Sequence, residues 1–471
     1  MTDSAGRYNI AIIGGGPGGY VAAIRAAQLG ARVAVIEKNK LGGTCVNVGC
    51  IPTKVLVTSA EVLETARRAG EYGIQVGEVG INFPAVMERK QKVVNQLVAG
   101  VVSLMRANKV DVISGTGTLT PAGTVRVEGE GGPREVQADN IIIATGSVSA
   151  KPPIPGLDLP GVITSDEAIA LERVPQRLII IGGGYIGMEM AAIYRPFGSQ
   201  ITIIEMLPAI LPVTDEEIAR RYHQIVRQQG VEINVNSPVK EIRQAPNNQL
   251  EVVYTSPEGE KSALGDVVLV ATGRVPYTDG PALEQAGVKL NRRAIVVDEQ
   301  MRTSRPNVYA IGDATGQIML AHVAFYQGEL AAENILGRTR KADYRAVPGC
   351  IFTMPEIASV GLTEQQAKDQ GIDVRVSRFP FSASGRALTL GETAGLVKMI
   401  CEKSTGSILG VHVMGPRATD IIAEAVLAIQ MEALAEDLVL TIHAHPTIPE
   451  AVREAAMGQF EGPIHYFVRR S

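Results

Sequence analysis

The sequence predicts an α/β fold that contains the same βαβ unit twice, and two observations support this prediction. The segments 8–38 and 177–206 each combine a buried strand, a glycine-rich turn, a helix and a second strand that ends near a glutamate. The segments 139–146 and 265–273 add to each unit a further apolar strand that ends in Ala-Thr-Gly. Strands and helices in this order form Rossmann-like parallel sheets, so we expect two nucleotide-binding domains.

Both glycine turns follow the pattern G-x-G-x-x-G. The first glycine allows a tight turn, the second lets a pyrophosphate approach the backbone, and the third lets helix and strand pack closely. The helix that follows directs its amide groups and partial positive charge toward the phosphates. A single motif of this kind is weak support, but here it occurs twice with equal spacing to a distant acid. The six glycines are Gly14, Gly16, Gly19, Gly182, Gly184 and Gly187.

The acid in each unit is a glutamate, Glu37 in the first and Glu205 in the second. We expect each carboxylate to accept hydrogen bonds from ribose hydroxyls. A carboxylate at Glu205 would repel a 2′-phosphate, and the residues that follow it are Met206, Leu207 and Pro208 rather than arginine. The second unit is therefore predicted to prefer NAD to NADP.

Composition and turns divide the chain into four parts. We predict a first nucleotide-binding domain with a cysteine pair at 1–150, a second nucleotide-binding domain at 151–275, and a central domain at 276–347 that returns to the first nucleotide. A change to alternating strands and late helices marks an α+β C-terminal domain at 348–471. The expected architecture is therefore two Rossmann-like domains, a central domain and a C-terminal α+β domain.

Composition also excludes several classes of protein. The net charge of -4 and the pI near 6.0 argue against a nucleic-acid partner. No uninterrupted apolar run reaches the roughly 18 residues that span a bilayer, and the N-terminal residues do not form a signal peptide. Four cysteines in 471 residues are too few for a secreted disulfide framework. We therefore expect a cytoplasmic protein with no membrane association, and no pattern predicts a metal site.

Cys45 and Cys50 follow the first βαβ unit closely. A regular helix would separate their α-carbons by at least about 7.5 Å along its axis, whereas a disulfide needs less than about 7 Å. Bridging them requires a distorted turn, which Gly49 could provide, and a distorted bridge is easily reduced. Two unpaired structural thiols are the alternative, but the position beside a nucleotide fold favours redox chemistry. Cys350 and Cys401 are expected to be ordinary buried thiols.

The chain resembles the flavin-dependent pyridine nucleotide–disulfide oxidoreductases from about Asn9 to His465. The two glycine turns carry the resemblance together with GGTCVNVGCIPTK at 42–54, YAIGDATG at 309–316 and HAHPTIPE at 443–450. It implies that the first nucleotide fold binds FAD and the second NAD. It also implies a homodimer whose interface is the C-terminal domain.

The resemblance assigns cofactor contacts residue by residue. It implies that Glu189 pairs with Lys54 beside the reactive ring nitrogen of the flavin and that Tyr185 covers the nicotinamide pocket. The implied FAD contacts are Gly14, Gly16, Gly19, Glu37, Lys38, Gly43, Thr44, Cys45, Lys54, Gly117, Thr145, Gly146, Ser147, Asp313, Met319, Leu320, Ala321 and His322. The implied NAD contacts are Gly182, Gly184, Tyr185, Gly187, Glu189, Glu205, Val239 and Gly273.

His445 and Glu450 resemble the acid–base pair of the family, which serves the active site of the opposite subunit. Histidine suits the role because its unperturbed pKa is near neutrality, and a carboxylate can orient the ring and support its charged form. A lone histidine before proline would more often be structural, but this motif favours catalysis. The other histidines are assigned structural roles: His223, His412, His443 and His465.

Within the family, the chain is most similar to members that oxidise dihydrolipoyl groups with NAD. This similarity implies that a substrate thiolate attacks Cys45, that His445 takes the thiol proton and that Cys50 lies nearest the flavin. The implied partners are lipoyl domains of a 2-oxo acid dehydrogenase or glycine-cleavage complex. The remaining alternatives are glutathione- or mercury-reducing relatives, flavin transhydrogenases, which lack the cysteine pair, and a redox-inactive scaffold.

Pro196 departs from a regular helix pattern. It is expected in the last turn of the second nucleotide-binding helix, which should end by Gly198, and it does not affect the predicted chemistry. Elsewhere, a largely helical stretch is expected at 59–109, followed by strands with a turn at 115–117.

Overall fold

A computed structural model describes residues 6–278 and 283–467. The helices in these ranges are α1 (Pro17–Gln28), α2 (Gly43–Asn47), α3 (Cys50–Arg67), α4 (Phe83–Ala107), α5 (Ser165–Ala168), α6 (Tyr185–Tyr194), α7 (Glu216–Gln228), α8 (Ala321–Ile335), α9 (Glu364–Asp369), α10 (Gly385–Thr389), α11 (Ala418–Gln430), α12 (Ala435–Leu440) and α13 (Glu450–Met457). The strands are β1 (Tyr8–Ile13), β2 (Val33–Glu37), β3 (Asp111–Ser114), β4 (Thr116–Leu119), β5 (Val125–Glu128), β6 (Arg134–Val136), β7 (Ala138–Ile143), β8 (Ser147–Ser149), β9 (Val162–Ile163), β10 (Arg177–Ile181), β11 (Gln200–Ile204), β12 (Glu232–Asn234), β13 (Val239–Gln244), β14 (Leu250–Ser256), β15 (Gly259–Gly265), β16 (Val267–Val270), β17 (Arg274–Pro276), β18 (Leu290–Asn291), β19 (Ala294–Ile295), β20 (Val308–Ala310), β21 (Gly349–Ile351), β22 (Glu356–Gly361), β23 (Val374–Pro380), β24 (Leu396–Glu402) and β25 (Ile408–Gly415). The N-terminal residues on which the signal-peptide prediction rests lie partly outside the described ranges.

The first nucleotide-binding unit is a five-stranded parallel sheet with the order β20-β7-β1-β2-β3. Ile10, Ile12 and Ile142 are fully buried beneath α1 and α8, which pack against one another on the same face. The antiparallel strands β4, β5 and β6 cover the opposite face. Strand β20 comes from a segment beyond the second unit, so the chain returns to the first sheet before it enters the C-terminal domain.

The second unit repeats this topology in the parallel sheet β12-β11-β10-β16-β9. Strand β10 lies between β11 and β16, as β1 lies between β2 and β7. The antiparallel strands β13, β14 and β15 pack Val252 and Tyr254 against Ile179 and Ile181 of this sheet. The predicted pair of Rossmann-like units is therefore confirmed.

The C-terminal unit is an antiparallel sheet with the order β21-β22-β25-β24-β23. Its inner residues, among them Phe379, Val397 and Val413, pack against α11 and α13. A separate two-stranded ribbon of β8 and β17 connects the regions that follow β7 and β16. The predicted α+β architecture is confirmed for this part of the chain.

Two local predictions were wrong. Helix α6 ends at Tyr194, so Pro196 lies beyond the helix rather than in its last turn, because the proline ring would clash with the carbonyl four residues earlier. Gly117 lies within β4, paired with Val127, and only Gly115, with φ +144°, turns the chain. The stretch at 59–109 contains α3 and α4, separated by irregular backbone.

Among the described residues, one segment, 43–67, is long and apolar enough to cross a membrane by length and composition alone. It is divided between α2 and α3, it carries Lys54 in an ion pair, and α3 packs against α4 and α6. These features are those of a core helix in a folded domain.

Candidate active site

Both glycine turns require glycine for steric reasons. Gly14 and Gly182 have φ of +108° and +109°, a conformation that L side chains rarely adopt. A Cβ atom on Gly19 would lie 1.9 Å from the carbonyl oxygen of Gly14, and one on Gly187 would lie 2.2 Å from that of Gly182. The third glycine of each turn therefore lets its helix pack directly on the turn.

The two predicted ribose-binding carboxylates also brace the turns. Glu37 accepts a 2.7 Å hydrogen bond from the amide of Gly15, and Glu205 accepts a 2.6 Å bond from the amide of Gly183. The second carboxylate oxygen of Glu205 accepts from the amide of Leu207 at 2.7 Å. Each carboxylate oxygen can accept more than one hydrogen bond, so these contacts leave acceptor capacity at the carboxyl edge of each sheet.

The residues expected to bind FAD converge on the carboxyl edge of the first sheet. Gly43, at the start of α2, lies against the glycine turn, where an added Cβ would be 2.6 Å from the Cα atom of Gly16. After β7, the hydroxyl of Thr145 donates to the carbonyl oxygen of Tyr277 at 2.8 Å. The ammonium group of Lys38 lies 4.1 Å from the centre of the Tyr277 ring. Backbone without side chains beside a helix N-terminus fits the pyrophosphate of a dinucleotide.

The remaining FAD candidates follow β20 and β4. Asp313 lies in the short helix Gly312–Thr315, and its carboxylate accepts a 2.5 Å hydrogen bond from Ser147. Residues 319–322 lead into α8, where His322 bonds to the carbonyl oxygen of Pro348 at 2.9 Å. Burial lowers the pKa of His322, which favours the neutral ring. Gly117 packs against Ile36 on the face covered by β4.

The cysteine pair lies where α2 ends and α3 begins. The helices are interrupted at 48–49, where Gly49 has φ -134° and ψ -109°. This break places the thiols of Cys45 and Cys50 within hydrogen-bonding distance, and both cysteines are in the free-thiol form. The predicted interruption of a regular helix is therefore present.

The two thiols differ in acidity. The hydrogen bond from Cys45 lowers the pKa of Cys50 to about 7, although burial opposes this effect, and the positive charge of Lys54 adds to it. The same hydrogen bond and burial raise the pKa of Cys45. A low pKa favours the thiolate and makes a sulfur the better leaving group in thiol–disulfide exchange. Cys50 is therefore the sulfur of the pair that ionises more readily.

An ion pair joins the two nucleotide-binding units beside the thiols. The ammonium group of Lys54 lies 3.0 Å from both carboxylate oxygens of Glu189, which is buried in α6. Glu189 also accepts a 2.9 Å hydrogen bond from the amide of Phe352, whose ring lies 4.4 Å from the Lys54 ammonium. Three parts of the chain thus meet at one charged pair. The family resemblance predicted this ion pair. It did not identify Phe352, which follows β21 and is far from both charged residues in the sequence.

His445 and Glu450 form a second polar pair, in the C-terminal domain. The Nδ1 atom of His445 lies 2.8 Å from a carboxylate oxygen of Glu450, and the other oxygen accepts a 2.7 Å bond from the amide of Thr447. Burial opposes ionisation of Glu450, but the Thr447 amide and the His445 ring hold its pKa below its usual range. The His445 side chain is 77% exposed, so its Nε2 edge is available to another molecule.

Large apolar side chains are exposed on the same C-terminal domain as this pair. Ile442 is 96% exposed, and Leu440, Met431 and Leu427 are also largely exposed. Several exposed apolar side chains of this size in one domain are typical of a surface that another subunit covers.

Most histidines assigned structural roles have partners within the chain. Of the two cysteines expected to be buried, Cys401 is buried, but Cys350 is only half-buried because it lies on the edge strand β21, so that part of the prediction was wrong. His443 bonds to Glu424 at 2.7 Å and to the carbonyl oxygen of Thr441 at 3.0 Å. His465 bonds to Glu454, and His412 to the carbonyl oxygen of Leu362. Burial lowers the pKa of His223 and His412, raises that of Cys350 to about 11 and raises that of Cys401 to about 12.

The NAD candidates also lie at one edge, that of the second sheet. Tyr185 begins α6, Val239 begins β13 and Gly273, with φ +109°, follows β16. Tyr185 is close enough to Glu189 and Cys50 for their charges to influence its ionisation. The start of α6 therefore lies close to the thiols.

Two nucleotide-binding folds around a thiol pair define a pyridine-nucleotide-dependent dithiol–disulfide oxidoreductase. Residues 8–328 match the pyridine nucleotide-disulphide oxidoreductase family, and residues 347–456 match its dimerisation domain. The chain belongs to this family. It is an enzyme, and its cofactors are FAD and NAD. The dimerisation domain indicates a homodimer.

Named relatives and solved structures agree with this assignment. The chain is 43% identical over 460 residues to a dihydrolipoyl dehydrogenase of Geobacillus stearothermophilus, with 97% of each chain covered. It is 41% identical to a mitochondrial dihydrolipoyl dehydrogenase of Pisum sativum, covering 97% of this chain and 92% of that protein. Its fold is similar to LpdA of Mycobacterium tuberculosis, with a TM-score of 0.89, 28% identity and coverage of 97% and 100%. It is also similar to the HOCl-induced flavoprotein disulfide reductase RclA of Escherichia coli, with a TM-score of 0.86, 33% identity and coverage of 95% and 99%.

Proposed function

We propose that the chain is a dihydrolipoyl dehydrogenase, which oxidises protein-bound dihydrolipoyl groups to lipoyl groups and reduces NAD. The observation that carries this proposal is the thiol pair, with a depressed pKa at Cys50, at the junction of two nucleotide-binding folds. The dihydrolipoyl dehydrogenases among its relatives support the choice of substrate. Each turnover removes two electrons and two protons from the dihydrolipoyl group, and NAD takes up a hydride.

The residues of the first sheet edge would hold FAD, with Glu37 on a ribose and Asp313 on the ribityl chain. Those of the second edge would hold NAD, with Glu205 on its ribose and Tyr185 over the nicotinamide pocket. FAD, when bound, supplies a carrier that takes an electron pair from a dithiol and passes hydride to NAD. The buried Glu189 fixes the Lys54 ammonium at the junction, where its charge also favours the Cys50 thiolate.

Thiol exchange begins from the oxidised cysteine pair. A substrate thiolate attacks the sulfur of Cys45, the Cys45–Cys50 bond breaks, and Cys50 leaves as the more stable thiolate. The second substrate thiol then attacks the substrate sulfur of this mixed disulfide, closes the lipoyl ring and releases Cys45. The pair thereby gains the two electrons that the substrate loses.

We assign the proton transfers to His445 of the opposite subunit. Its exposed Nε2 edge would accept the thiol proton of the substrate, while Glu450 holds Nδ1–H and stabilises the charged ring. The exposure of His445, and of Ile442 three residues before it, supports a role across the homodimer interface. In this arrangement each active site takes its base from its partner.

We further propose that the enzyme works in the cytoplasm with the lipoyl domains of a 2-oxo acid dehydrogenase or glycine-cleavage complex. The four-part division extends this proposal: residues 1–150 bind FAD, 151–275 bind NAD, 276–347 return to FAD, and 348–471 form the dimer interface. The return of β20 to the first sheet supports the third of these parts.

Replacing Cys45 tests the proposal. We expect Cys45→Ser to abolish dihydrolipoamide oxidation, because serine cannot form the mixed disulfide, while the purified protein retains bound FAD. Steady-state NADH formation and the visible flavin spectrum measure the two properties. Cys401→Ser, at a buried thiol in the C-terminal domain, is the matched control and should retain turnover.

Two results would contradict the proposed activity. Full turnover by Cys45→Ser would remove this sulfur from the exchange step. Faster reduction of glutathione disulfide or mercuric ion than of lipoamide by the wild-type protein would assign it to another branch of the family.

A further inference from the structure

Arg274 lies in the ribbon of β8 and β17, between the two nucleotide-binding units. Its side chain is only 11% exposed. It faces Ser149 across the antiparallel pair, and Ser147 is two residues further along the same face. The Nε–H group donates to the Ser147 hydroxyl at 2.8 Å, and a terminal NH2 group donates to the Ser147 carbonyl oxygen at 2.8 Å. The guanidinium group therefore holds Ser147 at two points.

These bonds determine where the Ser147 hydroxyl proton points. A hydroxyl has one proton, and because its oxygen accepts from Arg274, that proton is free to be donated. The hydroxyl donates to the Oδ2 atom of Asp313 at 2.5 Å. A chain of hydrogen bonds thus runs from a buried cation through Ser147 to the carboxylate of Asp313.

The other contacts of Arg274 are longer. The Nη1 atom lies 3.7 Å from the carboxylate of Asp166 in α5 and 3.5 Å from the hydroxyl of Ser149 in β8. The two shortest bonds both go to Ser147, beside the first sheet. The strongest contacts of Arg274 are therefore with the residue that donates to Asp313, on the FAD side.

We propose that Arg274 is a positioning residue for FAD, which acts through Ser147 to fix the orientation of the Asp313 carboxylate. With Oδ2 engaged by Ser147, the other carboxylate oxygen would remain to accept a ribityl hydroxyl. This inference rests on the proposed function, in which Asp313 meets the ribityl chain. It adds Arg274, a residue of β17 in the β8–β17 ribbon, to the residues that determine flavin binding.

We call the hydrogen-bonded chain Arg274–Ser147–Asp313 the relay. Flavin release from the purified holoenzyme tests it. Hydrogen bonds that involve charged groups contribute about 1.5–3 kcal/mol, so we expect FAD to dissociate roughly tenfold or more faster from Arg274→Met and from Ser147→Ala. The rise of flavin fluorescence after dilution measures this rate. The double variant should be no faster than the faster single variant, because both changes break one chain of bonds.

Two further variants separate positioning from general damage. Ser147→Thr keeps the hydroxyl and should release FAD at the wild-type rate. Ser149→Ala removes a hydroxyl from the same strand that Arg274 also contacts, and it should leave the rate unchanged. The flavin reduction potential, measured by dye equilibration, should shift in Arg274→Met and Ser147→Ala and in neither of these controls.

The FAD release rates of these variants decide whether the relay operates. Fast release from Arg274→Met with a wild-type rate from Ser147→Ala would overturn the relay. Unchanged release from both variants would also overturn it. If Arg274→Met does not fold, the comparison of Ser147→Ala with Ser147→Thr and Ser149→Ala decides alone. A wild-type protein that binds no FAD would instead contradict the proposed function itself.

Discussion

At the scale of single residues, the site requires glycines, which have no side chain, as well as residues with functional side chains. Gly19 and Gly187 lie so close to carbonyl oxygens of their own turns that neither position can accept a methyl group without displacing backbone. These two glycines could be predicted from the sequence because turn and helix are continuous in the chain, and their spacing determines the contact.

We predict that Gly19→Ala destabilises the first nucleotide-binding unit. The new Cβ would lie 1.9 Å from the Gly14 oxygen, and overpacking of this kind costs about 1–3 kcal/mol. Thermal unfolding and retention of FAD on a desalting column measure the effect. Gly100→Ala in α4, where a Cβ meets nothing within 4 Å, is the control and should be neutral or slightly stabilising. Equal behaviour of the two variants would contradict the steric argument.

Other residues of the site could not be predicted from the sequence. Arg274 follows the second Ala-Thr-Gly turn directly, yet its partner Ser147 lies 127 residues earlier in the chain. Asp313, to which Ser147 donates, lies 39 residues after Arg274. Phe352 contributes both a ring and an amide to the Lys54–Glu189 pair from beyond the central domain. Contacts of this kind arise from how sheets pack, and no spacing along the chain records them.

At the scale of secondary-structure elements, the helix that carries the first glycine turn is held by a buried carboxylate. Glu333 of α8 is only 3% exposed and pairs with Arg25 of α1 and with Arg338 and Arg340 beyond α8. The hydrogen bond from Arg340 lowers the pKa of Glu333 to about 2, against the opposing effect of burial, and Arg25 adds to it. The cluster locks α8 onto the helix whose N-terminus would face the FAD phosphates.

We predict that Glu333→Gln lowers the free energy of unfolding by about 3 kcal/mol at pH 7, because three cations lose a buried partner. The folded pKa lies below the unfolded value, so this contribution is complete above about pH 4.5 and is lost as pH falls toward 2. Urea unfolding at several pH values measures both effects. The difference between the wild type and the variant should shrink across that interval.

The exposed pair of Glu299 and Lys341 provides the control for this prediction. Glu299→Gln should change stability by less than about 1 kcal/mol, since exposed ion pairs contribute little. A loss as large as that of Glu333→Gln would show that burial does not determine the strength of the cluster.

Element boundaries show where pattern reasoning succeeds and where it fails. The two parallel sheets could be predicted because their strands are continuous apolar runs joined by glycine turns. The predictions for Pro196 and Gly117 were wrong. The end of α6 before Pro196 depends on a local steric clash, and the inclusion of Gly117 in β4 depends on pairing with another strand. The break at Gly49 was anticipated because the disulfide geometry required it.

At the scale of the whole molecule, the exposed apolar side chains of the C-terminal domain indicate that one chain is incomplete. We predict that Ile442→Lys weakens the homodimer, because Ile442 is 96% exposed in one chain and a lysine would have to be desolvated in the interface. Dihydrolipoamide turnover should fall in parallel with dimer content, while FAD stays bound. Analytical ultracentrifugation and steady-state assays at several protein concentrations measure the two quantities.

A surface substitution elsewhere completes this test. Val213 is also highly exposed but lies in the second nucleotide-binding unit, so Val213→Lys should leave both the dimer and its turnover intact. Full turnover by a monomeric Ile442→Lys protein would show that each chain supplies its own base.

The late arrival of β20 has a consequence for how the chain acquires its shape. Val308 pairs with Ile141 at the margin of the first sheet, and Asp313 follows directly. On a ribosome, the second unit has already emerged before this last strand can dock. One edge of the first sheet, at β7, therefore stays unpaired until β20 is synthesised. A nascent chain released before about residue 313 would therefore expose that edge and lack the acid beside it. Early termination should yield aggregates rather than a small flavoprotein.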